Sequence, residues 1–440
     1  MPSLAATHNS ITGEERMEGK EMYSSYRWLI LLVGCFSVTC YSINMIVYAP
    51  LFGEIAKDLK IDMSASLNLS MAFLIVVALS VGFGGIFVDR YGLTKIYVAG
   101  MLFGSVPALL MPWIGHSYGI VFASRLIQGP IAICAATVGP ILALWFPQRE
   151  QGLAGGLLMC CISAGTAIGL VASPAVFEAV GTWQKTVALS SIPGLMTMGL
   201  ALLITRRPPP PEMVKALTES AKSGPGGETY LKLLAEPLTW LGLFMFSCNA
   251  WGLYTLYTVV PSYLASPAPL GIGLGPITAG RLSLLLAAMG IPAFILGGLF
   301  FDKVAKGRSG PAIFIGFLAS GILTYCLLFP LVYQNVVLLS IALMIAGFGL
   351  PFMAPSVSAF VAMNYPPHLV GSMIGLWFGI GTLGGALGIY LAGVATAMTG
   401  NFDWSIRLIS LAAAAGFLLS FALRPRVRVK RAVKMTDFSY

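Results

Sequence analysis

The sequence predicts an all-α membrane protein, with twelve transmembrane helices in two pseudo-symmetric six-helix bundles. Three observations carry this. Of the 440 residues, 57% are hydrophobic and only 10% are charged, where a soluble chain carries about 25% charged residues. The apolar residues fall into twelve runs, and a helix needs about 20 such residues to cross a bilayer. The first six runs and the last six also share an internal repeat. The same composition disfavours a soluble enzyme, a disordered chain and a disulfide scaffold. The 50 glycines and 27 prolines fit a polytopic helical protein, since both residues are tolerated inside spans.

The chain opens on a polar arm, 1–26, which lacks the charged, apolar and small-residue segments of a cleaved signal peptide. Apolar runs broken by charge or Pro/Gly clusters then place spans near 27–50, 66–88, 95–114, 119–146, 152–177 and 184–205. They make an N-terminal bundle, 27–205. A polar linker, 206–236, opens with Arg206, Arg207 and four prolines, Pro208 to Pro211, and runs on through Ser223-Gly-Pro-Gly-Gly227. That is a stiff start and a flexible middle. Spans near 237–264, 279–301, 311–330, 335–364, 370–397 and 404–423 make the C-terminal bundle, 237–423, before a basic tail, 424–440.

Charge orients the chain. The formal net charge is +9, and 20 of the 26 Lys/Arg, counting Arg27, fall on the side that holds both termini. The opposite side holds Lys57, Lys60, Lys185, Arg281 and Arg407. Basic segments stay cytoplasmic, so both termini are expected inside, with the chain in the plasma (cytoplasmic, or cell inner) membrane. This explains the basic excess without a nucleic-acid partner. The seven cysteines all sit in apolar stretches and read as packing residues. With three scattered histidines, His8, His116 and His368, no metal site and no cofactor is expected.

The repeat is legible without gaps. Shifting 68–89 by 213 residues onto 281–302 superposes Leu69, Ser70, Gly84, Gly85, Phe87 and Asp89 on identical residues. A second segment repeats at a shift of 219, where Gly152, Gly156, Gly165, Ala167 and Gly169 meet Gly371, Gly375, Gly384, Ala386 and Gly388. Six spans, a linker and six related spans imply two halves from duplication, a transporter architecture.

After span 2 stands Gly85-Ile-Phe-Val-Asp89-Arg90-Tyr91-Gly92-Leu-Thr-Lys95, echoed after span 8 by Gly298-Leu-Phe-Phe-Asp302-Lys303 and then Lys306, Gly307 and Arg308. Here the sequence resembles the major facilitator superfamily, whose loop signature is Gly-x-x-x-Asp-Arg/Lys-x-Gly-Arg/Lys-Arg/Lys. The first copy matches at Gly85, Asp89, Arg90 and Gly92. It departs at Leu93 and Thr94 and recovers a basic residue only at Lys95. The resemblance implies a conformational latch of Gly85, Asp89, Arg90, Gly92, Lys95, Asp302 and Lys303. In it Asp89 caps span 11 and Asp302 caps span 5, holding an outward-facing state. A carboxylate suits that task because helix N-termini present free N–H groups and partial positive charge. Within the superfamily the chain is similar to anion porters. The Ala279-Gly-Arg281 run with Tyr365-Pro366 resembles the heme- or choline-type relatives of the feline leukaemia virus receptor.

Arg125 is the most informative single residue, because a charge at depth costs at least about 2.5 kcal/mol and normally faces an interior path. Helical spacing puts Arg125, Gln128, Ala132, Ala135 and Gly139 on one face. The Arg-x-x-Gln-Gly run resembles a second superfamily motif, which implies conformational coupling or proton handling. Direct contact with an anion is the other reading. All 17 acids fall at span ends, loops or tails, so the expected cavity is positive.

Two aromatic faces are expected to complete that cavity. On span 1, Tyr41, Asn44, Met45 and Tyr48 follow helical spacing, as do Trp251, Tyr254, Thr255 and Thr258 on span 7. Tyr257 and, on span 11, Trp377 are further candidates. The hydroxyls and the Asn44 amide suit a carboxylate, and the rings would equally cage a quaternary ammonium. Arg281, 21 residues before Asp302, is expected at the outer mouth. Gly165/Gly169 and Gly384/Gly388 read as close helix packing, and Pro130, Pro140, Pro351 and Pro355 as bends in spans 4 and 10.

The expectation is a secondary active transporter of a small organic or inorganic anion, monocarboxylate- or nitrate-like, working by rocker-switch alternating access. Transport of a small amine or another metabolite by facilitated diffusion or exchange is the alternative. A membrane-embedded enzyme is disfavoured because the spans hold no cluster of acids, bases or metal ligands. The expected partners are the lipid bilayer, the substrate and a coupling ion (a proton or an exchanged anion), with the chain a monomer.

Overall fold

A computed structural model describes residues 25–206, 230–365 and 369–423. The expected arm before residue 25, the linker between 207 and 229 and the tail from 424 lie outside the described residues. Twelve helices long and apolar enough to cross a membrane run at Arg27–Leu59, Met63–Gly85, Arg90–Leu109, Tyr118–Leu142, Leu153–Val180, Trp183–Ile204, Pro237–Ala265, Gly275–Val304, Ser309–Cys326, Val336–Asn364, Val370–Thr399 and Asp403–Ala422. These are spans 1 to 12, and the described residues contain no strand.

Local chemistry sets the ends. The Asp62 carboxylate accepts from the Ala65 N–H at 2.6 Å and starts span 2. The Asn335 side chain accepts from Val337 and Leu338 and starts span 10. These are N-caps for otherwise free donors. Gly181 and Gly400 end spans 5 and 11 in the left-handed conformation, φ 74° and 73°, as helix C-termini favour. They stand 219 residues apart, so the repeat persists to the last residue of those spans.

Several spans are less regular than their apolar runs suggest. Span 1 is helical over Arg27–Ile46, tightens to a 3-10 turn over Ala49–Leu51 and resumes as Phe52–Leu59. Pro50 sits at the break and supplies no N–H. Span 4 is helical over Tyr118–Gln128, 3-10 over Gly129–Thr137 and helical again over Val138–Trp145, with Pro130 at the first break. Span 10 by contrast runs unbroken over Val336–Asn364 through Pro351 and Pro355. Spans 8 and 11 each carry one π-helical turn, Phe300–Val304 and Gly375–Gly379.

Spans 1–6 and 7–12 form the two bundles, with spans 1 and 5 adjoining in the first half and spans 7 and 11 in the second. Both pairs meet through the expected glycines. A Cβ on Gly165 would lie 2.5 Å from the Thr39 carbonyl oxygen of span 1. A Cβ on Gly388 would lie 2.5 Å from Thr255 Oγ1 of span 7.

The halves touch along three seams. Spans 2 and 11 approach at Ser64/Gly393 and again at Gly82/Gly379. Spans 5 and 8 approach at Leu170/Gly280 and Ser163/Gly290. Spans 1 and 7 join where Ser262 Oγ donates to the Ala49 carbonyl at 3.1 Å. Ala49 and Ser262 are 213 residues apart, so equivalent positions of the two halves meet here, toward the face that carries Lys57. Toward the opposite face, which carries Asp89, a Cβ on Gly156 or Gly298 would meet nothing within 4 Å.

Candidate functional site

Arg125 lies in the last turn of the first helical segment of span 4, seven residues and about 10 Å in from Tyr118. It is fully buried and is the only charged side chain in the buried class among the described residues. Its guanidinium reaches three spans. Nε donates to the Leu69 carbonyl of span 2 at 3.3 Å, and one terminal nitrogen donates to the Asn44 carbonyl at 3.1 Å and to Gln128 Oε1 at 2.8 Å. The other terminal nitrogen donates to the Met45 carbonyl at 3.4 Å. Four of the five N–H donors of an arginine are thus engaged.

The partners explain how a charge survives at that depth. Asn44 and Met45 belong to the last turn of the helix Arg27–Ile46, whose final carbonyls have no partner within the helix. Val47 N–H serves Ile43, and Arg125 serves the next two. A cation is also favourable at a helix C-terminus, which carries partial negative charge. The broken helix of span 1 therefore gives Arg125 what a carboxylate would otherwise provide. Above and below, the guanidinium carbon lies 4.4 Å from the Tyr48 ring centroid and 4.2 Å from that of Phe73. Gln128 is held in turn, its amide donating to Ser124 Oγ at 3.0 Å.

Of the residues expected to share this site, Tyr41, Asn44 and Tyr48 are all buried on span 1. Tyr41 stacks on Phe73, centroids 6.4 Å apart, and its phenol lies beside that of Tyr254 on span 7. These two tyrosines are equivalent in the repeat and meet where the halves meet. Asn44 Oδ1 has no hydrogen-bond partner among the described residues, and the Tyr48 hydroxyl lies beside the Gln128 side chain. Tyr257 is buried within the core of span 7.

The remaining candidates are held by packing contacts. Trp251 packs against Gly388, its Cδ1 lying 2.6 Å from where a Cβ there would stand, so it serves the contact between spans 7 and 11. Trp377 is fully buried against Phe360 and Tyr365, inside a cluster of apolar C-terminal-half side chains. The shared face running from Arg125 to Gly139 does not survive, because the 3-10 stretch has three residues per turn. Arg125, Gln128 and Ala132 are buried, but so are Ile131, Cys134 and Thr137 at the three-residue spacing, while Gly139 is exposed.

The motif residues lie at the Asp89 face. Gly85, Arg90, Gly92 and Lys95 are exposed, and so are Asp302 and Lys303. The Asp89 side chain lies outside the described ones. Arg90 stacks on Tyr91 at 5.5 Å. Gly92 adopts φ 76° and ψ 167°, a region essentially closed to other residues, and lets span 2 turn directly into span 3. In the second copy the glycine with positive φ is Gly307, two positions later than the repeat places it. The π-helical turn at Phe300–Val304 accommodates part of that difference, since such a turn holds an extra residue. Arg281 is exposed.

Sequence reasoning missed Phe73, the Leu69 carbonyl and Ser262. Span 2 reads as uniformly apolar there, and a backbone acceptor leaves no trace in residue type. The spacing of Leu69 and Phe73, one helical turn, is the only signal available.

Comparison with known proteins places this geometry. The profile described as Major Facilitator Superfamily matches residues 34–322 and 307–436. A protein named gentisate transporter from Corynebacterium glutamicum is 23% identical over 438 residues, which is 99% of this chain and 95% of that one. A protein named probable anion transporter 3, chloroplastic, from Arabidopsis thaliana is 24% identical over 74% of this chain and 68% of its own length. Among solved structures, a D-xylose-proton symporter aligns with a TM-score of 0.71 over 92% of this chain and 99% of that chain, at 16% identity.

Proposed function

The chain belongs to the Major Facilitator Superfamily, and from that membership we propose that this integral multi-pass transporter carries a small organic anion. The observation that carries the reading is Arg125: a buried guanidinium held by carbonyls and rings, with no carboxylate beside it among the described residues. Its fifth N–H has no acceptor among those residues, and the Tyr48 hydroxyl stands close by, beside Gln128. A carboxylate finds one charged donor and one hydroxyl here. A quaternary ammonium does not, because the faces of Tyr48 and Phe73 already hold the protein's own cation. The printed names of the two relatives above, gentisate and anion transporter, agree with this substrate class.

The proposed cycle is alternating access, with 27–205 and 237–423 moving as bodies and the Asp89 face turned to the cytoplasm, both termini included. The Ala49–Ser262 contact closes the Lys57 face. It lies four residues beyond Met45, whose carbonyl Arg125 holds, so an anion that draws on Arg125 also loosens the segment that bears the closure. In the opposite state Asp89 and Asp302 cap spans 11 and 5. Since no buried carboxylate stands in the spans among the described residues, exchange against another anion is the favoured coupling, in a monomer resident in the plasma membrane.

The test is counterflow in proteoliposomes loaded with an unlabelled aromatic carboxylate such as gentisate. Accumulation of the labelled acid, with neither D-xylose nor choline competing, is the expected result. Competition by choline or xylose and none by carboxylates would remove the anion reading and leave the family assignment standing.

A further inference from the structure

The contacts between spans 1 and 5 fix a register that pairs two cysteines. Both spans run from the Asp89 face to the Lys57 face, so equal steps along them stay level. Gly169 lies against Ile43, whose Cα would be 3.5 Å from a Cβ there, and Gly165 lies against Thr39 at 2.5 Å. One turn further toward the Asp89 face the same register sets Cys161 against Cys35. The Cys161 sulfur does lie beside the Cys35 thiol and the Thr39 hydroxyl. Both cysteines are free and only partly buried. The neighbouring Phe36 and Leu157 are exposed, so the pair sits toward the lipid side of the seam, about 12 Å from Arg27 by helical rise.

We propose that Cys35 and Cys161 are an oxidisable thiol pair that forms a reversible disulfide between spans 1 and 5 under a lipid-soluble hydroperoxide. A disulfide requires a Cα separation of about 4.4–6.8 Å, and the close glycine contacts one and two turns away bring the two helices together at this level. The Cys161 sulfur, beside both the Cys35 thiol and the Thr39 hydroxyl, is the attacking atom. That sulfur attacks the distal peroxide oxygen, gives up its proton and leaves a sulfenic acid and an alcohol. Cys35 then attacks the sulfenic sulfur and water departs. Two thiols and one hydroperoxide become one disulfide, one alcohol and one water, a two-electron oxidation. Cys160, adjacent in sequence, is no competitor. Its side chain projects about 100° away around the helix and its thiol points at the Ile291 carbonyl of span 8, 4.0 Å off.

Spans 1 and 5 both belong to the body 27–205, so the staple acts within that body. It fixes the face of span 5 that carries Cys160 and Ser163, which meet Ile291 and Gly290 of span 8, against span 1 without joining the two halves.

The experiment treats the full chain in proteoliposomes with tert-butyl hydroperoxide and maps peptides by mass spectrometry without reduction. The expected product joins the Cys35 and Cys161 peptides, two hydrogens lighter than their sum. It disappears in Cys35→Ser and in Cys161→Ser, and persists in Cys160→Ser and Cys248→Ser. Dithiothreitol should reverse the linkage and restore both free thiols. Linkage through Cys160, stepwise oxidation of Cys161 to the sulfonic acid with Cys35 untouched, or two unmodified thiols would each overturn the proposal. Because the cross-link is read by mass, a protein that transports no anion still tests it.

Discussion

Two pairs of glycines in spans 5 and 11 should respond to the same substitution with opposite signs. Gly165→Ala puts a Cβ 2.5 Å from the Thr39 carbonyl and 3.0 Å from its Cα. Both are backbone atoms, so no rotamer change relieves the clash and span 1 itself must shift. Overpacking of this kind costs about 1–3 kcal/mol, and a backbone obstacle belongs at the upper end. Gly388→Ala meets Thr255 Oγ1 at 2.5 Å and Trp251 Cδ1 at 2.6 Å, side-chain atoms that have some freedom, so its cost should be lower. Gly156→Ala and Gly371→Ala meet nothing within 4 Å. There the gain in helix propensity, about 0.5–1 kcal/mol, stands alone. The assay is the thermal midpoint of the purified protein, which moves about 2–4 °C per kcal/mol for 150–250 residues. The expected order is Gly156→Ala and Gly371→Ala at or above the parent, then Gly388→Ala, then Gly165→Ala lowest by several degrees. Destabilisation at Gly156 equal to that at Gly165 would refute the reasoning, since it would mean that the glycines matter through composition and not through contact.

Two further outcomes follow from single contacts. Gly92→Ala forces a Cβ onto φ 76° and ψ 167° with free space around it, so the loss should be pure backbone strain, about 1–3 kcal/mol, read as a lower midpoint with transport retained at low temperature. Ser262→Ala removes the hydrogen bond to Ala49 across the halves. A buried bond of this type is worth about 0.5–1.5 kcal/mol, so spin labels on the Lys57 face should report a widened distance population, up to about tenfold larger; an unchanged distribution would show that the closure rests elsewhere.

The fold was legible because bilayer thickness makes span length a matter of counting, and because duplication left Gly84, Gly85, Phe87 and Asp89 in register with their second copies. Span 10 was located to within one residue. What the sequence concealed were the breaks. Pro50 and Pro130 signal a bend, but Pro351 and Pro355 give the same signal inside an unbroken helix. A proline breaks a span only where neighbouring groups can satisfy the carbonyls that it frees, and those neighbours come from other spans. The site was half legible for the same reason. Arg125 and Gln128 stand out by residue type, whereas three of the guanidinium's acceptors are main-chain oxygens of Leu69, Asn44 and Met45. Trp251 and Trp377, singled out by residue type as well, are large aromatic residues whose faces pack equally well against glycines or a ligand.

The role of Arg125 can be divided by measurement. A helix C-terminus carries about half an elementary negative charge, so capping span 1 offsets about half of the guanidinium's charge and leaves the rest to act on an anion. Two unit charges 4 Å apart at an effective dielectric of 20 attract by about 4 kcal/mol; half of that, about 2 kcal/mol, corresponds to about 30-fold in Kd. Arg125→Gln removes the charge and keeps a side-chain amide that can donate to one or two of the carbonyls. If the anion contacts Arg125, its Kd should rise about 30-fold while the thermal midpoint falls only by the lost cap. If Arg125 acts through span 1 alone, Kd should move less than threefold while the counterflow rate collapses. Arg125→Lys separates the cases from the other side, because it restores the charge without the planar fork that spans Leu69, Asn44 and Met45. Direct contact then predicts recovered affinity with slow turnover, and coupling alone predicts no recovery of rate. Wild-type affinity and rate in both variants would remove Arg125 from the mechanism and, with it, the electrostatic basis for an anionic substrate.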